Sequence, residues 1–395
     1  MAARRRPRRR GIDIAPLRAV VIPQLPAPEP LLAVLEGVLD GREPAILPVP
    51  ADVRSAEHLT TSLGIGEDID DDVALVVSTS GTTGTPKGAM LTARALIASA
   101  SATHDRIGGP GTWLLALPAY HVAGLQVMVR SILAGTVPVA LDPSFDVADL
   151  PRAVDALGPG PRYTSLVAVQ VAKALGDPAA TAALATLDAV LVGGGPMPGT
   201  VAEAAAQAGI RVVRTYGMSE TAGGCVYDGV PLDGVRVRLD GGRVVLGGTT
   251  LAKGYRHPTD PDPFAEPGWF RTDDVGAVDD SGVLRILGRI DDGIGTGGLT
   301  VLPQLVEAAL ETHPTIADCA VFGVADERLG QRVVAAVVLT PGAAAPTLDE
   351  VRTHVERTLE PTAAPREVHV VDELPRRGIG KVDRKELAAR YATGA

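Results

Sequence analysis

The sequence predicts an α/β fold in two unequal parts. A large N-terminal domain of helix-covered sheets includes a small β-rich subdomain, and a small, mobile α+β domain follows it. Three observations carry this prediction. Apolar runs of strand length alternate with apolar-periodic helical stretches through most of the chain. From Val235 to Val245 the pattern shortens to strands joined by Gly turns such as Asp240-Gly241-Gly242. At Gly288-Arg289-Ile290-Asp291-Asp292-Gly293 a charged, Gly-flanked break precedes about a hundred residues of different texture.

Taken in order, a Pro-rich opening leads to Ala74-Leu75-Val76-Val77, a short buried strand. A Ser/Thr/Gly segment and a helical stretch from Met90 to His104 come next. Strand-like runs recur at Trp113–Leu117, Thr136–Leu141, Ala189–Val192 and Arg211–Arg214, with helices at Leu166–Leu175 and Val201–Ala208. Past the break the pattern predicts helix Pro303–Glu311, strands Cys319–Val324 and Val333–Leu339, and helix Leu348–Leu359. The domains are therefore 1–290 and 291–395, with residues 1–30 expected to lack fixed structure.

Composition excludes several classes. The 395 residues allow two or three domains with ample core. With 47 Asp plus Glu against 37 Lys plus Arg, the net charge of -10 argues against a nucleic-acid partner. Cys225 and Cys319 form no Cys-x-x-Cys pair, which excludes a disulfide framework and points to a reducing compartment. No apolar run reaches the ~18 residues of a membrane span. The first ten residues carry six Arg and no acid, and no apolar run of a secretory signal follows. They read as a disordered arm or an overextended start, and the chain as soluble and cytoplasmic. Oligomeric state is left open. Only five of the 37 cationic residues are Lys, which makes Lys87 and Lys381 conspicuous.

The strongest local signal is Ser78-Thr79-Ser80-Gly81-Thr82-Thr83-Gly84-Thr85-Pro86-Lys87-Gly88, directly after a strand. Its glycines let backbone N–H groups approach an anion, its hydroxyls add donors, and Lys87 adds charge. It is a phosphate cradle without the Ser or Thr that follows the lysine of a Walker A loop.

This segment resembles the phosphate-binding loop of the adenylate-forming superfamily, which includes acyl-CoA synthetases, adenylation domains of peptide synthetases and luciferases. The resemblance continues in order along the chain. Pro118-Ala119-Tyr120-His121-Val122-Ala123-Gly124 is similar to the segment beside the acyl site, and Gly193-Gly194-Gly195-Pro196 to the turn beside adenine. Tyr216-Gly217-Met218-Ser219-Glu220-Thr221 resembles the stretch whose acid contacts the magnesium of ATP. Trp269-Phe270-Arg271-Thr272-Asp273-Asp274 resembles the element whose last Asp binds ribose, with Asp273 where the family usually has Gly. The two adjacent acids leave open which one makes that contact. The break implies a hinge at Asp291 with Arg289 at the ribose. Gly378-Ile379-Gly380-Lys381-Val382-Asp383-Arg384 resembles the terminal segment with the catalytic lysine.

The resemblance implies catalytic roles for Lys381, His121 and Glu220, with Mg²⁺ on Glu220. It implies nucleotide contacts from Thr79 to Thr85, Lys87, Gly193 to Gly195, Tyr216 to Ser219, Thr221, Asp274 and Arg289. CoA would enter near Gly297 and Gly298. ATP and CoA are the implied co-substrates. Within the superfamily the sequence most resembles the 2-succinylbenzoate–CoA ligases of menaquinone synthesis in their short actinobacterial form. Supporting segments are Tyr120 to Leu125 running into Met128-Val129-Arg130-Ser131, Gly223 to Gly229, and Gly295 to Pro303. An acid with a second, aromatic carboxylate needs a cation or a donor network, and Arg130, with Ser165 second, is the candidate. Another acyl- or aryl-CoA ligase, or a non-catalytic nucleotide-binding homologue, are the alternatives.

Overall fold

The computed structural model describes residues 15–23, 27–79, 86–142, 144–377 and 381–392, and the side chains of Arg377 and Lys381 lie outside that description. Two sheets build the large domain. In the first, strands Arg18–Ile22, Ile46–Pro50 and Val73–Val77 run parallel, and Ala89–Thr92 and Gly254–Tyr255 complete it antiparallel. The second runs Val230–Pro231, Gly223–Tyr227, Val212–Met218, Ala189–Gly193, Arg162–Val167, Thr112–Leu115, Val139–Ala140, the last five parallel. Val73–Val77 is buried at every position, as a strand covered on both faces requires.

Helices Pro28–Leu39, Ala93–Ile107 and Val122–Ala134 share one core with Leu75 and Leu91 of the first sheet and Trp113, Tyr163 and Leu191 of the second. They therefore fill the space between the sheets. The central one has clear local limits. Thr92 accepts the Ala95 N–H at its start, and Gly108 ends it at φ 117°, a backbone conformation that favours glycine. Leu150–Asp155, Ala168–Leu175, Pro178–Ala185 and Gly199–Gln207 cover the far face of the second sheet. Val53–Ser62 covers the outer face of the first. The order is helix, sheet, helix, sheet, helix.

Strands Val235–Asp240, Arg243–Gly248, Trp269–Val278 and Leu284–Arg289 form the antiparallel subdomain. Beyond it, Ile294–Thr296, Leu299–Val301, Ile316–Asp326, Gly330–Leu339 and Glu367–Val370 make a separate sheet. Helices Pro303–Leu310 and Leu348–Val355 pack on one of its faces and Arg384–Tyr391 on the other.

Three expectations are corrected. Order does not begin near residue 30, because Arg18–Ile22 pairs in parallel with Ile46–Pro50 over five residues. The helical stretches expected at Met90 and Leu166 each begin as strand: Ala89–Thr92 precedes helix Ala93–Ile107, and Arg162–Val167 precedes helix Ala168–Leu175. Apolar residues at a strand end continue the helical spacing that follows, so periodicity alone merges the two.

Candidate active site

A side-chain hydrogen bond joins the two sheets. Tyr255, on the edge strand of the first sheet, donates its hydroxyl to Glu220 Oε1 at 2.6 Å. Glu220 lies in the turn Ser219–Thr221 directly after the Val212–Met218 strand of the second sheet. The carboxylate is 7% exposed. Burial holds its pKa above the ordinary carboxylate range, while the Tyr255 donor and the charges of Lys87 and Arg289 pull it down. Lys87 Nζ stands 5.3 Å from the centre of the Tyr255 ring. The exit of the phosphate loop is stapled to the same segment, because Arg256 N–H donates to Gly88 O at 2.7 Å and Gly254–Tyr255 pairs with Ala89–Met90. At the loop's entry, Thr79 Oγ1 is buried with no hydrogen-bond partner among the described residues. Ser80, Gly81, Thr82, Thr83, Gly84 and Thr85 lie outside the described residues.

Among the described residues no cluster of three or more metal-ligating side chains assembles. A single buried carboxylate with a phenol donor still suits Mg²⁺, which takes its remaining ligands from phosphate oxygens and water.

A second group gathers on the antiparallel subdomain. Tyr216 donates to Asp274 Oδ2 at 2.5 Å, and Arg289 Nη1 reaches Asp274 Oδ1 at 3.4 Å. Arg289 also forks onto Asp291 at 2.8 and 2.9 Å. Burial raises the Asp274 pKa, and Tyr216 and Arg289 oppose it. The Tyr216 phenol is pushed well above its ordinary range, first by burial and then by Asp274. Strand alternation separates the adjacent acids: Asp274 points inward at 5% exposure, and Asp273 points outward toward Arg243 and Arg289 at 3.9 and 3.8 Å. Asp274 is the acid facing the Tyr216 side.

Close backbone contact shapes the remaining turns. A Cβ on Gly217 would strike the Gly223 carbonyl, so only glycine lets the strand fold tightly against its return. Gly193 ends the neighbouring strand, and Gly194 and Gly195 follow it at the same end of the sheet. Thr221 follows Glu220 in the same turn. Its hydroxyl is fully buried, donates to Gly223 O at 2.7 Å and accepts the Met218 N–H at 3.0 Å, so it shapes the turn that carries Glu220. Met218 and Ser219 belong to that turn.

His121 occupies the residue before helix Val122–Ala134, with its ring 4.6 Å from that of Tyr120. Gly124 allows the first turn of that helix to abut the Leu117 and Pro118 carbonyls. Ser165 is buried on the Arg162–Val167 strand, two residues past Tyr163 and therefore on the same face. A cavity of about 530 Å³ is lined by residues including Tyr120, Leu117 and Asp142 but by none of His121, Ser165 and Arg130.

Arg130, expected on a helix beside the acyl pocket, does not line this cavity. It is 3% exposed, with its guanidinium 4.9 Å from the Trp113 ring and Nη2 at 3.4 Å from the Tyr227 hydroxyl. Its helix starts with Val122 against Gly223 and reaches Tyr227 at Arg130, following the Gly223–Tyr227 strand away from Glu220. Nε has no partner among the described residues, and burial lowers the pKa of the guanidinium.

In the small domain, Asp291 is held by Arg289, and Gly297 and Gly298 form the turn between Ile294–Thr296 and Leu299–Val301. Lys381 lies on strand Lys381–Val382, paired with Arg376–Arg377. Tyr255 is the residue that sequence reasoning missed. Its one signal is its pairing with Ala89, 166 residues away, which no local pattern displays.

Comparison with known proteins agrees with this arrangement. The profile of the AMP-binding enzyme family matches residues 33–255, and that of the AMP-binding enzyme C-terminal domain matches 305–381. The chain is 67% identical over 381 residues to a probable 2-succinylbenzoate–CoA ligase of Mycobacterium tuberculosis, covering 95% of this chain and 99% of that one. It is 33% identical over 378 residues to a 2-succinylbenzoate–CoA ligase of Geobacillus kaustophilus, covering 89% and 76%. The fold superposes on the o-succinylbenzoate CoA synthetase (MenE) of Bacillus subtilis in complex with its acyl-adenylate intermediate, with TM-score 0.77, 24% identity and 95% and 88% coverage. MatB of Rhodopseudomonas palustris bound to ATP gives TM-score 0.82, 23% identity and 97% and 90% coverage. On its sequence and its fold, the chain belongs to the AMP-binding enzyme family.

Proposed function

We propose that the chain ligates 2-succinylbenzoate to CoA, an AMP-forming acid–thiol ligation of menaquinone biosynthesis carried out in the cytoplasm. The observation that carries this reading is 67% identity to the M. tuberculosis ligase along nearly the full length of both chains. In the first step a carboxylate oxygen of the acid attacks the α-phosphorus of ATP. An O–P bond forms, the bridging P–O bond breaks, and pyrophosphate leaves. In the second step the CoA sulfur attacks the acyl carbonyl, the C–O bond to AMP breaks, and the thiol proton passes to solvent.

Both steps require negative charge to be held close to negative charge, so positioning and electrostatics carry the work. Asp274, oriented by Tyr216, accepts the ribose hydroxyls beside Arg289. Thr79, Ser80 to Thr85 and Lys87 hold the phosphates, and Gly193 to Gly195 border the adenine. Glu220 would hold Mg²⁺, which would offset phosphate charge when bound. Lys381 bridges the acyl carboxylate and the α-phosphate. Rotation about Asp291 then withdraws Lys381 and brings the Gly297–Gly298 turn to the pantetheine. His121 stands at the acyl end. Ser165 offers a hydroxyl to the acid, and Arg130, without a carboxylate partner among the described residues, supplies a positive field for the aromatic carboxylate.

The test is AMP release with ATP, CoA and 2-succinylbenzoate, each omitted in turn. The reading requires dependence on all three; AMP release that ignores 2-succinylbenzoate but responds to another acid overturns it.

A further inference from the structure

The strand that carries Lys381 is two residues long and, among the described residues, pairs with Arg376–Arg377 alone. So short a hairpin does not hold a fixed position by itself. Arg376 ties the partner strand to Asp318 at 2.7 Å, and the three residues that follow Lys381 anchor the hairpin further. Val382 packs against a small core with Phe322, Leu374 and Leu387. Asp383, 6% exposed, accepts the Glu386 N–H and starts the last helix. Arg384 turns toward the domain interior and toward the hinge.

Arg384 Nη2 donates to both oxygens of Glu307 at 2.7 and 2.6 Å, and Nε donates to Val321 O at 3.1 Å. Nη1 lies 3.6 Å from Asp292 Oδ2, which also accepts Gln304 Nε2 at 2.8 Å. Glu307 is 7% exposed, and its Oε1 accepts the Val321 N–H at 2.7 Å. One guanidinium thus joins helix Pro303–Leu310, strand Ile316–Asp326 and the residue immediately after Asp291. A planar fork can serve these partners together, whereas a lysine ammonium cannot. A buried carboxylate is costly unless paired, so the arrangement is held in one geometry rather than left to solvent.

We infer that Arg384 is a positioning residue for the first half-reaction. Through Glu307 and Asp292 it locks the Lys381 strand to the residue just past the hinge, so rotation at Asp291 carries Lys381 as a rigid lever. This inference rests on the proposed roles of Lys381 and Asp291 and deepens them.

Single-turnover kinetics of the full chain test it, with acyl-adenylate formation from ATP and 2-succinylbenzoate measured apart from thioester formation from preformed acyl-adenylate. Arg384→Ala slows adenylate formation about 100-fold, the size expected when a reacting group is misplaced by about 1 Å. Its thioester step stays within about 3-fold of the parent, and Arg384→Lys restores part of the adenylate rate. Asp292→Asn leaves the Glu307 pair intact and slows adenylate formation about 5-fold. Should Arg384→Ala unfold the small domain, seen in its circular dichroism melt, Asp292→Asn decides alone. A parental adenylate rate in that variant, or equal loss in both half-reactions by any folded variant, overturns the inference. Lys381→Ala separates the two layers. If it still forms acyl-adenylate, the lysine assignment fails; if it does not while the Arg384 and Asp292 variants match the parent, only the positioning role fails.

Discussion

Two arginines of this chain live in opposite surroundings. Arg289 touches Asp274 and Asp291 directly and lies within 3.8 Å of Asp273, and these carboxylates raise its pKa despite burial. Arg130 is more deeply buried and has an aromatic ring and a phenol for company, with no acid near it among the described residues. The proposed ribose side is therefore satisfied by groups of the protein itself. The proposed acyl side holds a positive charge without a carboxylate partner among the described residues, and that would favour an acid with a second negative group.

The contrast can be broken most sharply on the ribose side. Asp274→Ala removes a preorganised acceptor and frees Tyr216 and Arg289, and kcat/KM for ATP falls about 100-fold or more. Asp273→Ala changes it less than about 3-fold, because that side chain is turned outward and screened. Equal effects in steady-state assays would erase the distinction between the two acids.

On the acyl side the expected effect is smaller. Eight residues of helix separate Val122 from Arg130, about 12 Å at 1.5 Å per residue. A unit charge at that distance contributes about 1.4 kcal/mol at an effective dielectric near 20, or about tenfold. Arg130→Met therefore raises KM for 2-succinylbenzoate about tenfold and leaves KM for ATP within about 2-fold. Because no carboxylate is stranded, its melting temperature matches or exceeds the parent's. An unchanged acid response removes Arg130 from substrate recognition.

Glu220 gives a pH test in the metal-free chain. Burial raises its folded pKa, so its contribution to stability is full below the ordinary carboxylate pKa and lost as pH rises through the raised value. Glu220→Gln therefore gains stability relative to the parent as pH rises, and Tyr255→Phe, lacking the opposing donor, loses more than the parent. Thermal melts across the acid-to-neutral range measure both, and parallel curves for all three chains would contradict this. The smallest effect is at Cys225, whose thiol is pushed up to about 12 by burial. Alkylating reagent at neutral pH leaves it unlabelled in the folded chain, and mass spectrometry shows labelling only after unfolding.

Much of the site was legible because its residues follow strand ends in contiguous segments: the loop after Val77, Gly194 after Gly193, Glu220 after Met218. Their chemistry and their local turn are written side by side. What was hidden depends on distant pairing. Tyr255 reaches Glu220 only because its strand pairs with Ala89–Met90. The first strand was obscured by its partner, Ile46–Pro50, whose Pro48 and Pro50 lack N–H groups. That strand keeps one register position, Ile46 with Leu75, toward its other neighbour, so it resembles a linker in composition while serving inside a sheet. The surroundings of Arg130 were hidden for another reason. A charged residue in an apolar helix marks a candidate cation without giving its depth, and the aromatic side chains of Trp113 and Tyr227 show it to be interior.

The placement of helix Val122–Ala134 between the two sheets bears on how such an enzyme can diverge. Residues proposed to read the acid, Arg130 and Ser165, are also packing residues of the central layer. A lineage that shifts to a new acid must alter this layer and disturb close packing as it does so. The proposed ribose residues Asp274 and Arg289 sit on strands of a separate subdomain and are spared that conflict. Changes of acid specificity in this architecture should therefore arrive with compensating substitutions in the surrounding core, whereas nucleotide use can persist unchanged through the same history.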